Sequence, residues 1–262
     1  MVRAPYHSFI SASRARNAFV PLVLVLALFG ALGMGSAFHF DLASAPPPSY
    51  MASAVFATFA RLLVAYVAAL AVAIPLAILA TRSALCEKVL LPIFDIAQSV
   101  PILAFFPLII AVFLRFGFTN AAAVFIIFIN MLWNIVFSAV AGMRAIPGDI
   151  GAASGVFGIR GWFYFRRVLL PAIFPYIVTG SLLAWAEGWN IVIVAEALHE
   201  YVPGGTPEND LFGIGSVLAH AAAAGYSGAF AAGVIALVGT IAILNFGIWQ
   251  KLLHHAEKYR FD

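Results

Sequence analysis

Two ionisable residues sit deep inside long apolar stretches: Arg61 in ATFARLLVAYVAALAV and Glu187 in LLAWAEGWNIVIV. A charge at the centre of a bilayer costs about 2.5–3.5 kcal/mol on insertion scales, so each is expected to have a partner. With a helix starting near residue 54, Arg61 lies about 10 Å deep at 1.5 Å per residue. Glu187, ten residues before the end of its own apolar stretch, lies about 15 Å deep by the same rise. The difference is within side-chain reach, and Glu187 is expected to face protein or the pathway and to pair with Arg61 in at least one state. The competing reading has Arg61 snorkelling outward and Glu187 neutral or bonded to backbone. Uncharged polar residues share these stretches: Gln98 and Ser99 ahead of Pro101, Asn130 and Asn134, and Asn190 beside Trp189. They suit the wall of a solute pathway, and equally suit hydrogen bonds between helices. Trp185 and Trp189 are one turn apart and read first as packing, with a gate as the sharper option. Asp95 reads as solvated or arginine-paired at a membrane edge.

Chemistry of other kinds finds no constellation. The three lysines are Lys88, Lys251 and Lys258, and none follows a glycine. A phosphate-binding G-x-x-x-x-G-K-[ST] loop is therefore absent. Neither a G-x-S-x-G elbow nor an H-E-x-x-H helix occurs. Cys86 is the single cysteine, which leaves no internal disulfide and no thiolate cluster. His254-His255 reads as a solvated pair at a membrane edge. His220, four residues from Ser216, has no oxyanion-hole motif to accompany it. The expectation is no catalytic site, no metal site and no cofactor in this chain.

The elements that must position these residues follow from composition. Of 262 residues, 64% are apolar and 10% charged, against about a quarter charged in a soluble domain. That all but excludes a soluble enzyme, a disordered chain and a disulfide scaffold. Uncharged apolar runs predict six membrane helices at about 18–38, 54–80, 91–114, 120–143, 172–197 and 228–252. Residues 1–17 and 253–262 flank the membrane domain 18–252. Arg14 and Arg16 ahead of the first run also match a signal peptide, but the run is read as a span. Turn chemistry separates the spans at 41–49, 81–88, 115–120 and 201–210, and no internal repeat is evident. Of 14 basic residues, setting aside Arg115 in an outer loop and Arg61 in a span leaves 12 on the side of the N-terminus. The positive-inside rule then puts both termini in the cytoplasm, in a multi-pass membrane protein. The net charge of +3 reflects topology, not a nucleic-acid partner.

One connection is not simply membrane: RAIPGDIGAASGVFGIRGWFYFRRVLLP, residues 144–171. Pro147-Gly148 stops the preceding helix, Asp149 suits an N-cap, and Gly158 suits the left-handed residue that ends a helix. The helix between them has about two turns, too short to persist alone in water, so it must dock on something. Trp162 to Phe165 and Arg166-Arg167 read as an interfacial helix that re-enters the bilayer at Pro171. The blander reading is an amphipathic connector with snorkelling arginines.

Gly158, twelve intervening residues and Pro171 within RRVLLP resemble the EAA loop of inner-membrane permease subunits from binding-protein-dependent ABC importers. Carried over by position, Ala152, Ala153 and Ser154 stand at the Glu-Ala-Ala positions and Gly158 at the motif glycine. Ala152 replaces the family's glutamate, and Asp149 lies three residues earlier. The resemblance extends over most of residues 54–250: FDIAQSVPILAFFPLIIAVFLRFG, PYIVTGSLLAWAEGWNIVIVAE and FGIGSVLAHAAAAGYSG are similar to the nitrate, sulfonate and bicarbonate branch. It implies an all-α integral membrane protein with six transmembrane helices, of the type I ABC importer permease kind. It also implies a cytoplasmic coupling helix between spans four and five that sits in a cleft of an ATPase. Asp149, Ala152, Ala153, Ser154, Phe157, Gly158, Arg160 and Arg166 are the coupling candidates. Gln98, Ser99, Asn134, Glu187, Trp189 and Asn190 are the pathway candidates. The implied partners are a second permease subunit, identical or a paralogue, two cytoplasmic ATPases that bind ATP and magnesium, an extracytoplasmic binding protein and membrane lipid. The implied location is a bacterial-type inner membrane, and the implied solute a small oxyanion or organosulfonate. An ion-gradient-driven secondary transporter is the alternative.

Overall fold

The computed structural model describes residues 45–201, 206 and 209–259. The expected span at 18–38 lies outside them. Among the described residues there are no strands, and four helices are long and apolar enough to cross a membrane. These are α1 (Pro48–Thr81), α4 (Thr119–Arg144), α6 (Gly161–Glu196) and α8 (Ser227–Tyr259). Two further pieces, α2 (Ala84–Ser99) and α3 (Phe106–Arg115), are bent by 73° with a 3-10 turn at Ile102–Phe105 between them, the form of a broken span or a re-entrant loop. Two shorter helices lie in connections, α5 (Gly148–Val156) and α7 (Ile214–Ala224). In hydrocarbon, helices satisfy their own backbone polar groups, which is why long apolar runs take this form.

The helix starts follow local chemistry. Pro48 opens α1 at a position where its missing N–H costs nothing, after an extended Pro47. The helix therefore begins six residues earlier than the apolar run alone suggests. Ser83 caps α2 by accepting the Cys86 N–H at 3.1 Å, which shortens the expected 81–88 turn to a two-residue break. The expected single span 91–114 is instead broken at Val100–Pro101. A residue before proline is pushed towards extended geometry, and Val100 has ψ 122°.

α4 lies between α1 and α6 and packs most extensively on both. Its Ile126, Ile127, Met131, Ile135 and Val136 are fully buried. α1 meets the bundle with Ala65, Ala69, Ala73, Ala77 and Ala80, one small residue per turn. α6 answers with the expected stripe Gly180, Ala184 and Gly188, all buried. A Cβ at Gly180 would stand 2.5 Å from Ser138 Cβ and 2.9 Å from the Asn134 carbonyl oxygen, and one at Gly188 would lie 2.8 Å from Leu62. Small residues allow this approach, and dispersion across the seam replaces the hydrophobic effect that membrane helices lack. Trp185 packs at tilted or edge-on angles among Phe59, Tyr66, Trp189 and Trp249.

The aromatic segment differs from expectation. α6 is continuous from Gly161 and does not break at Pro171. Pro171 has no N–H to offer the preceding turn, and that turn is π-helical, with Leu170 N–H bonded to the Phe165 carbonyl. α8 contains a second π turn at Asn245–Trp249 and continues past the expected end at 252.

Candidate functional site

Arg61 does not pair with Glu187. Its Nη1 donates to Glu196 Oε1 at 2.6 Å and its Nε to Asn120 Oδ1 at 2.9 Å. Glu196 is fully buried, and it also accepts from Thr58 Oγ1 at 2.8 Å and from the Gly215 N–H at 2.8 Å. Thr58 in turn accepts the Ile214 N–H at 2.9 Å. One carboxylate and one hydroxyl thus occupy two of the free N–H groups at the start of α7. The expected pair fails for an axial reason. The early start of α1 carries its first turns past the end of α6, where Met51 packs with Ile214 and Leu218 of α7. Arg61 is therefore level with the last residue of α6, not with Glu187 nine residues earlier. A Cβ at Gly213 would overlap the Glu196 carboxylate, and one at Gly215 would lie 2.9 Å from Glu196 Oε2. Two glycines flanking Ile214 were the available sign that a buried side chain ends there.

Glu187 and Asn190 instead lie on an exposed side of α6. Asn130 Nδ2 donates to the Glu187 carbonyl at 3.1 Å. Beside them, the break between α2 and α3 forms a cleft of about 290 Å³ that Gln98, Ser99, Pro101, Asn130 and Trp133 line. Ser99 Oγ donates to the Asp95 carbonyl at 2.7 Å, and Gln98 Nε2 stands 3.4 Å from Asp95 Oδ1. Five polar residues from three helices therefore share one open face of the bundle. Two candidates stand apart from it. Asn134 is half-buried, with its carbonyl against the Gly180 seam, and Trp189 is buried in the aromatic core.

At the basic end of the bundle, Arg144 pairs with Glu87 across the α1–α2 and α4–α5 connections. α5 then projects with little cover. Its N-cap is Pro147, so Asp149 is not the cap; it lies in the first turn, where a negative charge still complements the helix dipole. The C-terminus is a Schellman closure: Gly158 at φ +67° donates to the Gly155 carbonyl, and Ile159 N–H reaches the Ser154 carbonyl at 2.9 Å. Ser154 turns inward and its hydroxyl donates to the Ile150 carbonyl at 2.7 Å. Ala152, Ala153, Arg160 and Arg166 are exposed. Val156 and Phe157 are 85% and 78% exposed, so the turn presents an apolar tip. Trp162 stacks on Phe165, and Arg167 lies over the Phe163 ring at 5.3 Å.

No metal site was expected, yet His199, Asp210 and His220 bring three ligand atoms together at the opposite end of the bundle. Their separation in sequence is too long to form a local motif.

Residues 73–255 match the family model described as binding-protein-dependent transport system inner membrane component. The nitrate import permease protein NrtB of Leptolyngbya laminosa is 36% identical over 144 residues, 55% of this chain and 50% of that protein. NrtB of Synechocystis is 33% identical over 144 residues, 55% and 51% of the two chains. The bicarbonate transport system permease protein CmpB of Synechocystis is 30% identical over 148 residues, 56% and 52%. The chain spans about half the length of these relatives.

Proposed function

Since the chain belongs to the family of binding-protein-dependent transport system inner membrane components, we propose that it is the permease subunit of an ATP-driven importer for a small oxyanion. The observation that carries the reading is α5, a two-and-a-half-turn helix closed at Gly158 that exposes Val156 and Phe157 beyond the bundle. Such a helix cannot hold its fold alone, and its apolar tip fits a cleft in a cytoplasmic ATPase. Two ATPases bind ATP and magnesium, and this chain contributes access and coupling without chemistry.

The open polar face supplies the pathway. Glu187, Asn190, Asn130, Gln98 and Ser99 would be costly against lipid tails, so a second permease subunit covers that face and the solute passes between the two. The proposed permease has six spans in all, with both termini cytoplasmic. The binding protein docks on the outer connection around α7. The named solutes of the relatives, nitrate and bicarbonate, favour an oxyanion over an organosulfonate. Glu187 has no partner in Arg61, so passage of an anion requires a matching group from the second subunit. Switching between inward- and outward-open states is a rigid-body equilibrium that ATP and the loaded binding protein both bias.

The test is reconstitution with its ATPase and binding protein in liposomes. ATP-dependent nitrate or bicarbonate uptake, with ATP hydrolysis stimulated by the loaded binding protein, is expected. Uptake driven by an ion gradient without the ATPase would overturn the proposal in favour of a secondary transporter.

A further inference from the structure

Three segments at the acidic end of the bundle converge on one carboxylate. Asp210 Oδ2 lies 2.7 Å from His199 Nδ1 and 2.5 Å from His220 Nε2, while Asp210 Oδ1 accepts the His199 backbone N–H at 2.8 Å. The Asp210 side chain is 2% exposed and that of His220 43% exposed. Beside Asp210 and His220 opens a cavity of about 450 Å³, walled also by Tyr50, Phe212, Ser216 and Tyr226. We propose that His199, Asp210 and His220 form a binding site for a borderline first-row divalent cation of the zinc type. The fourth coordination position opens to this cavity.

The donor set selects the ion. Two neutral imidazole nitrogens and one carboxylate oxygen suit zinc and its neighbours, whereas calcium and magnesium take oxygen shells. Geometry permits it as well. The three ligand atoms lie within 4.8 Å of one another. Tetrahedral bonds of about 2.0–2.1 Å place ligand atoms roughly 3.3 Å apart, so the rings need to withdraw from the carboxylate by about 0.6 Å at His199 and 0.8 Å at His220. His220, the more exposed ring, has room to do so. The second carboxylate oxygen is already oriented by the His199 N–H, the kind of outer support that metal ligands generally have. The alternative is a plain hydrogen-bond clamp, in which Asp210 Oδ2 accepts an N–H from each ring. Two imidazolium rings with centroids 5.7 Å apart would repel each other, while a cation bound by neutral rings satisfies all three groups at once. Bound there, it would tie the end of α6 to Asp210 and to α7, stiffening the same connection that Glu196 anchors.

The experiment titrates zinc chloride into the purified full-length protein in detergent after chelator treatment, by calorimetry and by thermal unfolding. Cobalt(II) absorption reports the geometry. Expected are one zinc equivalent with a rise in Tm, and intense visible bands of tetrahedral cobalt. His199→Gln and His220→Gln should each weaken that equivalent by about 10–100-fold or more, since loss of an outer-shell partner alone costs that much. Glutamine keeps an N–H donor towards Asp210, so a pure hydrogen-bond clamp would leave both variants folded and zinc-indifferent. His254→Gln with His255→Gln, at the other end of the bundle, should leave the site intact. The proposal is overturned if the wild type binds no stoichiometric zinc, or if binding survives unchanged in both site variants.

Discussion

Removing Arg61 should expose how much of the outer end depends on one buried carboxylate. In Arg61→Met, Glu196 keeps its bonds from Thr58 and Gly215 but loses the guanidinium that pairs with it at 2.6 Å. Glu196 has no exposed surface and Arg61 is 12% exposed, so water cannot readily take the guanidinium's place. Stripping one partner from a buried pair costs about 3–5 kcal/mol. For a chain of this size each kcal/mol moves Tm by about 2–4 °C, which predicts a fall of roughly 6–20 °C in detergent. Glu196→Gln should be milder, because its amide oxygen still accepts from Gly215. The double variant should lose less than the sum by about 0.5–3 kcal/mol, the coupling of contacting residues. Exchanging the charges, Arg61→Glu with Glu196→Arg, should not rescue stability, because a guanidinium cannot accept the Gly215 N–H. Arg61→Met combined with Glu187→Gln should be additive. Thermal unfolding at fixed protein and detergent concentration reads all five. A wild-type Tm in Arg61→Met, or coupling to Glu187 in place of Glu196, would refute the reasoning.

Gly158→Val should insert and fold but lose coupled transport, since a β-branched residue at φ +67° costs about 1–2 kcal/mol; Gly151→Ala, with open space around it, should transport normally. The check is uptake alongside ATP hydrolysis with and without loaded binding protein. Gly180→Val should destabilise the fold by about 1–3 kcal/mol through overpacking against Ser138, read as a fall in Tm. Glu187→Gln should leave Tm unchanged, because the side chain is on the open face, and should preserve or raise anion uptake; a collapse of uptake would show that its charge is used productively.

The sequence by itself determined what depends on local chemistry. Apolar run length located the four long helices that cover most of 54–80, 120–143, 172–197 and 228–252, since each helix meets its own backbone demands. Gly158 was readable as a left-handed closure because that conformation excludes most other residues. The Gly180, Ala184 and Gly188 seam was readable because helical periodicity puts them on one face. What lay beyond the sequence is how far each helix slides along its neighbour. A start at Pro48 in place of 54 is an offset of about 9 Å, enough to move Arg61 from Glu187 to Glu196. The Asp149 cap failed for a similar reason of register, because the helix is already capped two residues sooner, at Pro147. Trp189 went to the core and Glu187 to the open face because packing around α4 fixes the rotation of α6, and one helix has no record of that angle. His199, Asp210 and His220 meet only after α6 ends and α7 folds back over it. Nothing local joins them, so only the tertiary structure could decide it.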